Sequence, residues 1–149
     1  MARYTALLND VDCGFATKTL LQIIAAANHQ LRITEVGIGF NGASGAVAAR
    51  LVELLRQTTA GTMTALALVK ENDSDGDSPD ASALHTATAE PTAGDILRGF
   101  RVHPCGNGLV WQPRFGEEIV IGAADRIGLR VTGDGANAHD ADCYITFEE

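Results

Sequence analysis

The sequence predicts an all-β protein, an antiparallel β-sandwich of about eight strands in a single domain. Short runs of alternating apolar and polar residues recur along the chain, and turn-forming residues separate them about every eight to twelve residues. The composition agrees, because 16 glycines and only 20% charged residues suit short strands and tight turns better than helical bundles. At 149 residues the chain is long enough to bury one hydrophobic core.

The first part of the chain leads into one long strand. Residues 1–12 have no sustained periodicity, and we predict an extended arm there, ahead of a single domain at 13–149. Residues 15–25 and 31–40 are predicted strands. Strict alternation in 31–40 gives two faces, neither of them purely polar, as in a strand covered on both sides. One face is Leu31, Ile33, Glu35, Gly37 and Gly39, and the other is Arg32, Thr34, Val36, Ile38 and Phe40.

Residues 47–59 are ambiguous between helix and strand. Val47, Leu51, Leu54 and Leu55 fall at helical spacing, and propensity alone favours a helix. The segment NGASGA at 41–46 favours a chain reversal, and a reversal would pair 47–59 with 31–40 as a hairpin. Because tertiary context often overrides propensity, we predict a strand, and the apolar surplus of both segments then indicates an oligomer interface.

The rest of the chain is predicted as short strands around one long loop. Residues 61–70 alternate, whereas 71–91 are acidic and rich in Ser, Ala and Thr, which predicts a long surface loop. Further strands are predicted at 96–103, 109–113, 117–121, 126–132 and 143–149. This number and spacing of strands is typical of a sandwich or jelly roll.

Charge and cysteine content exclude several classes of function. The net charge of −8 disfavours binding to nucleic-acid phosphates. No segment is apolar enough to span a bilayer and the start has no signal-peptide pattern, so we expect synthesis in the cytoplasm. Cys13, Cys105 and Cys143 form neither a disulfide framework nor a zinc motif. Three reduced thiols are expected, with a Cys13–Cys143 bridge as the alternative.

No motif in the sequence predicts an active site, a metal site or a cofactor. The run from Glu71 to Gly76 resembles the start of a calcium loop, but the ninth and twelfth positions are Pro79 and Ser82, where a bidentate Glu is needed at the twelfth. The acidic turn around Asp134 has no ligand spacing. The GxGxxG at 37–42 lacks a following helix, and the histidines at 29, 85 and 103 are scattered with no GxSxG nucleophile. We therefore expect a protein that is not an enzyme.

Several stretches together resemble the capsid decoration (cement) proteins of tailed bacteriophages. These are KTLLQIIAAANHQLRITEVGIGFNG (18–42), VELLRQTTAGTMTA (52–65), TAEPTAGDILRGFRVHP (88–104), GEEIVIGAADRIGLRVT (116–132) and CYITFEE (143–149). The resemblance implies a β-sandwich of jelly-roll type that assembles as a homo-oligomer, a trimer, on the outside of an icosahedral head. The expected partners are the chain itself and the major capsid protein, and the expected location is the virion surface.

The expected contact residues fall into two groups. The arm at 1–12 would reach the capsid or a neighbouring subunit through Arg3, Tyr4, Leu7 and Leu8. Trp111, Phe115 and Tyr144 would be oligomer anchors, with burial in the sandwich as the alternative for the first two. Two other functions stay open: a receptor- or carbohydrate-binding module, which would need exposed aromatics, and a cupin-like enzyme, which would need a His/Glu cluster that the four histidines do not provide.

Overall fold

The protein is a two-sheet antiparallel β-sandwich, as the sequence predicts. The computed structural model describes residues 1–41, 48–74, 76–133 and 139–149, and these contain no helix and therefore none that could cross a membrane. Twelve strands replace the expected eight. They are β1 (Arg3–Asp12), β2 (Lys18–Ile24), β3 (Leu31–Phe40), β4 (Arg50–Gln57), β5 (Thr62–Leu66), β6 (Val69–Lys70), β7 (Ser82–Ala89), β8 (Ala93–Val102), β9 (Leu109–Trp111), β10 (Ile119–Ile121), β11 (Arg126–Val131) and β12 (Asp140–Glu148).

Most consecutive strands lie in opposite sheets, but β4 and β5, β7 and β8, and β9 and β10 share a sheet. Sheet A has the order β10-β3-β12-β1-β6, with β9 also paired to β3, and sheet B has the order β5-β7-β2-β11-β4-β8. The inner faces of both sheets supply one hydrophobic core. Its largest fully buried side chains include Tyr4, Leu21, Ile33, Leu54 and Phe147.

The expected arm at 1–12 is wrong, because most of it is strand β1 inside sheet A. Strand β1 pairs with β12 from Arg3↔Glu148 to Asp12↔Asp140. The register shifts between Leu8 and Val11, where Asp10 has a positive φ of 57°. This bulge breaks the alternation, so the strand has no regular period in the sequence.

Within the segment predicted as a strand at 47–59, Arg50–Gln57 form strand β4, but they do not make the expected hairpin with 31–40. Strand β4 lies in sheet B between β11 and β8, whereas β3 lies in sheet A. Val52 and Leu54 point into the core, and Leu55, on the opposite side of the strand, is also buried. Burial on both sides produces the helix-like spacing of apolar residues. The connecting residues 42–47, with most of the predicted NGASGA turn, lie outside the described residues.

A bulge in β3 corrects the face assignment of that strand. Thr146 pairs with Glu35 but the next residue, Phe147, pairs with Ile33, so Thr34 is an extra residue. The extra residue reverses the alternation. As a result all five large apolar residues of β3 are buried against the core, namely Leu31, Ile33, Val36, Ile38 and Phe40. The apolar surplus predicted on the outer face of β3 is therefore absent, whereas β4 keeps Leu55 on its outer side.

The predicted loop at 71–91 is wrong in its second half, which is strand β7. Strand β7 pairs with β2 and β5 in sheet B, and β6 pairs with β1 in sheet A. The insertion between β4 and β8 thus extends both sheets on the same side of the sandwich. The β7 sequence, SALHTATA, buries only the small side chains Ala83 and Ala87. Its hydrophobicity therefore did not indicate a strand.

The outer face of sheet B carries a buried polar layer beneath this insertion. The Gln22 amide donates to Gln57 Oε1 (2.6 Å), and the Gln57 amide donates to Thr19 Oγ1 (3.0 Å). The Thr19 hydroxyl and backbone N–H both donate to the Glu90 carboxylate, at 2.7 and 2.9 Å. Gln22 also donates to the carbonyl of Thr59 (3.1 Å). These bonds attach the two ends of the insertion to sheet B.

Replacing Glu90 with Ala should therefore destabilise the fold. The substitution removes the acceptor for the Thr19 N–H and hydroxyl, and unsatisfied buried donors cost about 1–3 kcal/mol. Urea unfolding would measure the loss. Glu117→Ala is the matched control, because Glu117 is exposed and its side chain makes no hydrogen bond within the described residues, so equal stability of the two variants would contradict this prediction.

Candidate functional site

The outer face of sheet A carries an apolar row across four neighbouring strands. Leu7 pairs with Tyr144, Tyr144 with Gly37, and Gly37 with Val110. All four residues point away from the core. Leu7 is 45% exposed and Val110 is 60% exposed. At about 4.8 Å per strand the row is ~14 Å long. Neighbouring copies or other proteins can contact it without any rearrangement of the core.

The Tyr144 ring lies over Gly37, and its hydroxyl ends in a polar cluster. A Cβ atom on Gly37 would overlap the Tyr144 ring, so glycine is required for this packing. The Tyr144 hydroxyl and the Gln112 side-chain amide both donate to the Glu35 carboxylate. Hydrogen bonds from Tyr144 and then from Gln112 hold the pKa of Glu35 below its ordinary value of 4.5. Burial, followed by the bond to Glu35, raises the pKa of Tyr144 to about 12.

Two shallow depressions flank this cluster. One, of about 400 Å³, is lined mainly by apolar and glycine residues, including Leu7, Gly37, Gly39, Val110 and Tyr144. The other, of about 370 Å³, is polar and is lined by residues that include Arg3, Glu35, Gln112, Phe115 and Glu118. Phe115 lies in the turn between β9 and β10 and is fully exposed, at 101%.

The structure separates the residues that the sequence assigned to one contact. Tyr4 is fully buried and packs against Phe147 at 6.0 Å between ring centroids, and Leu8 packs on the core. Arg3 points outward and pairs with Glu148 at 2.9 Å. Among the predicted arm contacts, only Arg3 and Leu7 therefore remain available to a partner.

The predicted oligomer anchors also have different environments. Trp111 packs partly against the core, and the Arg98 guanidinium lies 5.2 Å from its ring centroid. Phe115 is exposed, and Tyr144 shares the apolar row with Leu7. The structure thus brings together Leu7 and Tyr144, two residues that the sequence assigned to separate interfaces.

The residues that the sequence missed are Glu35, Gly37, Val110 and Gln112. The glycine pair Gly37 and Gly39 was a usable signal, because glycine inside a strand often marks close approach by another group. The approaching ring, Tyr144, is more than a hundred residues away in sequence, and only the register of β12 identifies it. Strict alternation had also assigned Glu35 and Gly37 to the face of Leu31 and Ile33.

The chemistry-bearing side chains do not converge within the described residues. His29 pairs with Asp80 (2.9 Å), His85 contacts Thr86 (2.9 Å) and His103 accepts from the Cys105 N–H (3.2 Å), each in a different place. No group of three or more His, Cys, Asp or Glu in the described residues is arranged to hold a metal ion. Asp75 of the calcium-like run and Asp134 lie outside those residues.

The three cysteines are free thiols, as expected from their number and spacing. Cys13 and Cys143 are buried, and Cys105 is exposed. Burial raises the pKa of the Cys13 thiol to about 12 and raises that of Cys143 as well. Both buried thiols are therefore protonated at neutral pH and are poor nucleophiles.

Comparison of the chain with protein-family models, with curated proteins and with solved structures finds no match.

Gly37→Ala should destabilise the protein by about 1–3 kcal/mol, the usual cost of overpacking, because the new methyl group must displace the Tyr144 ring. Gly39→Ala is the matched control in the same strand, where the new Cβ would meet only the Gly108 Cα at 3.9 Å. Thermal unfolding compares the two. In a Tyr144→Ala background the effect of Gly37→Ala should shrink, and an unchanged effect would show that the ring is not its cause.

Glu35→Gln should flatten the acid side of the stability profile. Because the folded-state pKa of Glu35 is lowered, its stabilisation is present above the unfolded pKa and is lost as pH falls through the folded pKa. The wild type should therefore lose more stability than Glu35→Gln between neutral pH and pH below 4.5. Urea midpoints across this range measure the difference. A stability profile of Glu35→Gln that runs parallel to that of the wild type would contradict the assignment.

Proposed function

We propose that this chain is a non-enzymatic virion structural protein, a bacteriophage capsid decoration protein that assembles as a homo-oligomer on the outside of the head. The observation that carries the proposal is the apolar row on the outer face of sheet A. Interface area is what a cement protein contributes, and such a protein needs no reactive group. In this proposal the chain is made in the bacterial cytoplasm and resides on the virion surface.

The strand order supports the jelly-roll part of the proposal. In sheet A, β1, β12 and β3 are followed by β9 and β10, and the facing strands of sheet B are β2, β11, β4 and β8. Two nested Greek keys produce this order, and β5–β7 add an insertion between β4 and β8. Viral capsid domains, lectins and cupins all use jelly rolls, so the fold alone does not select among them.

The position of the exposed apolar side chains supports assembly over catalysis. Within the described residues, five of the large exposed apolar side chains lie on the outer side of sheet A or at its edge, namely Leu7, Val69, Val110, Phe115 and Val120. Exposed apolar side chains gathered on one sheet favour an interaction site there. The contact is made by a folded sheet face and not by the arm expected from the sequence, because β1 is already part of the sheet.

A carbohydrate- or receptor-binding module is the second candidate. The observation that favours it is the polar depression, where the exposed Phe115 ring lies beside the Glu35 carboxylate and the Gln112 amide. Aromatic faces together with carboxylates and amides suit sugar binding. Glycan-array binding that is lost in Gln112→Ala would favour this module, whereas wild-type protein that binds no glycan would leave decoration as the better proposal.

Mixing the purified protein with undecorated heads of tailed phages tests decoration directly. We expect the protein to cosediment with the heads at a saturable ratio and to raise the temperature at which they rupture, because each bound copy adds interface between capsid subunits. Heads already saturated with decoration protein are the control and should bind none. Absence of cosedimentation at saturating concentration would overturn the proposal.

A further inference from the structure

A cavity of about 750 Å³ opens at one end of the sandwich and shares no lining residue with the two depressions on sheet A. Four segments line it, namely the chain around Ala2, the connection between β2 and β3, the residues just before β7, and the residue after β12. Cavities of about 300–1,000 Å³ are the usual size for small-molecule sites. This end of the molecule therefore has room for a small ligand.

Hydrogen bonds between the four segments hold the walls of the cavity in place. The Tyr4 hydroxyl donates to the Asp77 carbonyl (3.2 Å), and the Asp80 N–H donates to the Glu149 side-chain carboxylate (2.9 Å). His29 Nδ1 lies 2.9 Å from the Asp80 carboxylate, which joins the β2–β3 connection to the segment before β7. Because the cavity is preformed, a ligand can bind without the cost of ordering its walls.

Four polar side chains that line the cavity make no hydrogen bond or ion pair with another described residue. They are Asn28, Gln30, Asp77 and Ser78. Asn28 and Gln30 belong to one wall, and Asp77 and Ser78 belong to another. Side-chain amides and hydroxyls both donate and accept hydrogen bonds, as the hydroxyl groups of a ligand do. These side chains therefore match a ligand that carries several hydroxyl groups.

The charge of the lining favours a cationic ligand. Three of the lining side chains are carboxylates, those of Asp77, Asp80 and Glu149, and within the described residues no arginine or lysine lines the cavity. Asp80 is paired with His29, and Glu149 accepts from the N–H groups of Asp80 and Ala81. Asp77 is thus the carboxylate that remains available to a positive group of the ligand.

We propose that this cavity binds a small hydroxylated ammonium compound of the size of an amino sugar. The ammonium group pairs with the Asp77 carboxylate, and the hydroxyl groups bind to Asn28, Gln30 and Ser78. A charge-assisted hydrogen bond to Asp77 gives selectivity for the amine, while the amides and the Ser78 hydroxyl orient the rest of the ligand. The site is separate from the apolar row of sheet A, so this inference goes beyond the proposed function and does not depend on it.

Three probes with one ring and different charges test the class of ligand. The full chain is titrated with glucosamine, glucose and glucuronate at slightly acidic pH, where the glucosamine amine is protonated, and amide signals are followed by nuclear magnetic resonance. We expect glucosamine to give saturable shifts at residues 28–30 and 77–80, glucose to bind about tenfold more weakly or less, and glucuronate not to bind. Absence of saturable shifts with glucosamine, or equal affinity for glucose, would overturn the proposal.

Variants with matched controls test the position of the site. Asp77→Asn should weaken glucosamine binding about tenfold or more, whereas Asp73→Asn should leave it unchanged, because Asp73 has the same charge and is exposed in the same segment but does not line the cavity. Ser78→Tyr should fill the cavity and abolish binding, and Ser74→Tyr is its control. Wild-type affinity in Asp77→Asn or Ser78→Tyr would overturn the proposal.

A further variant separates this site from the polar depression beside Phe115. Gln112→Ala should keep the wild-type affinity for glucosamine, because Gln112 lines only that depression. Loss of glucosamine binding in Gln112→Ala would overturn the assignment to the cavity. The outcome for decoration is independent, since a protein that binds glucosamine but ignores undecorated heads would refute decoration alone, and a protein that cosediments but binds no glucosamine would refute the cavity site alone.

Discussion

The extra residue at Thr34 in β3 is the constraint on which the rest of sheet A depends. With it, Leu31 and Ile33 on one side of the bulge and Val36, Ile38 and Phe40 on the other all reach the core. The bulge also divides the free edge of β3, so that β10 pairs with residues 31–33 and β9 with residues 36–38. The turn between these two short strands carries Phe115, and the outward positions after the bulge are Glu35, Gly37 and Gly39. One inserted residue therefore positions both the turn that exposes Phe115 and the outward-facing residues of β3.

The two outer faces of the sandwich differ in what covers them. On sheet B the chain covers itself, because the insertion between β4 and β8 is attached through Glu90 and Thr59 to a layer of polar side chains. Those side chains are buried and hydrogen-bonded to one another, so they suit an intramolecular contact. Sheet A has no such cover over Leu7 and Val110. Exposed apolar side chains such as Leu7 and Val110 suit contact with a partner, whereas the hydrogen-bonded polar layer of sheet B stabilises the fold.

The polar cluster beside the apolar row keeps that row in a defined shape. Tyr144 is held flat over Gly37 by its hydroxyl bond to Glu35, and Gln112 from the segment after β9 holds the same carboxylate. An aromatic ring fixed at both ends loses little conformational entropy when a partner packs against it. The cluster thus links the Glu35 carboxylate to the geometry of the proposed interface.

The sequence by itself determined the fold class, the positions of most strands and the free cysteines, because strand periodicity, glycine-rich turns and residue counts are local properties. It also identified Phe115, Tyr144 and Leu7 as contact candidates, since large apolar residues in a polar pattern are visible locally. Only the tertiary structure decided which faces those residues share. The bulges at Asp10 and Thr34 shift the register without a sequence signal, small alanines conceal β7, and the pairing of Leu7, Tyr144, Gly37 and Val110 joins strands from both ends of the chain. Such long-range pairing depends on which buried surfaces fit together, and no short window of sequence contains that information.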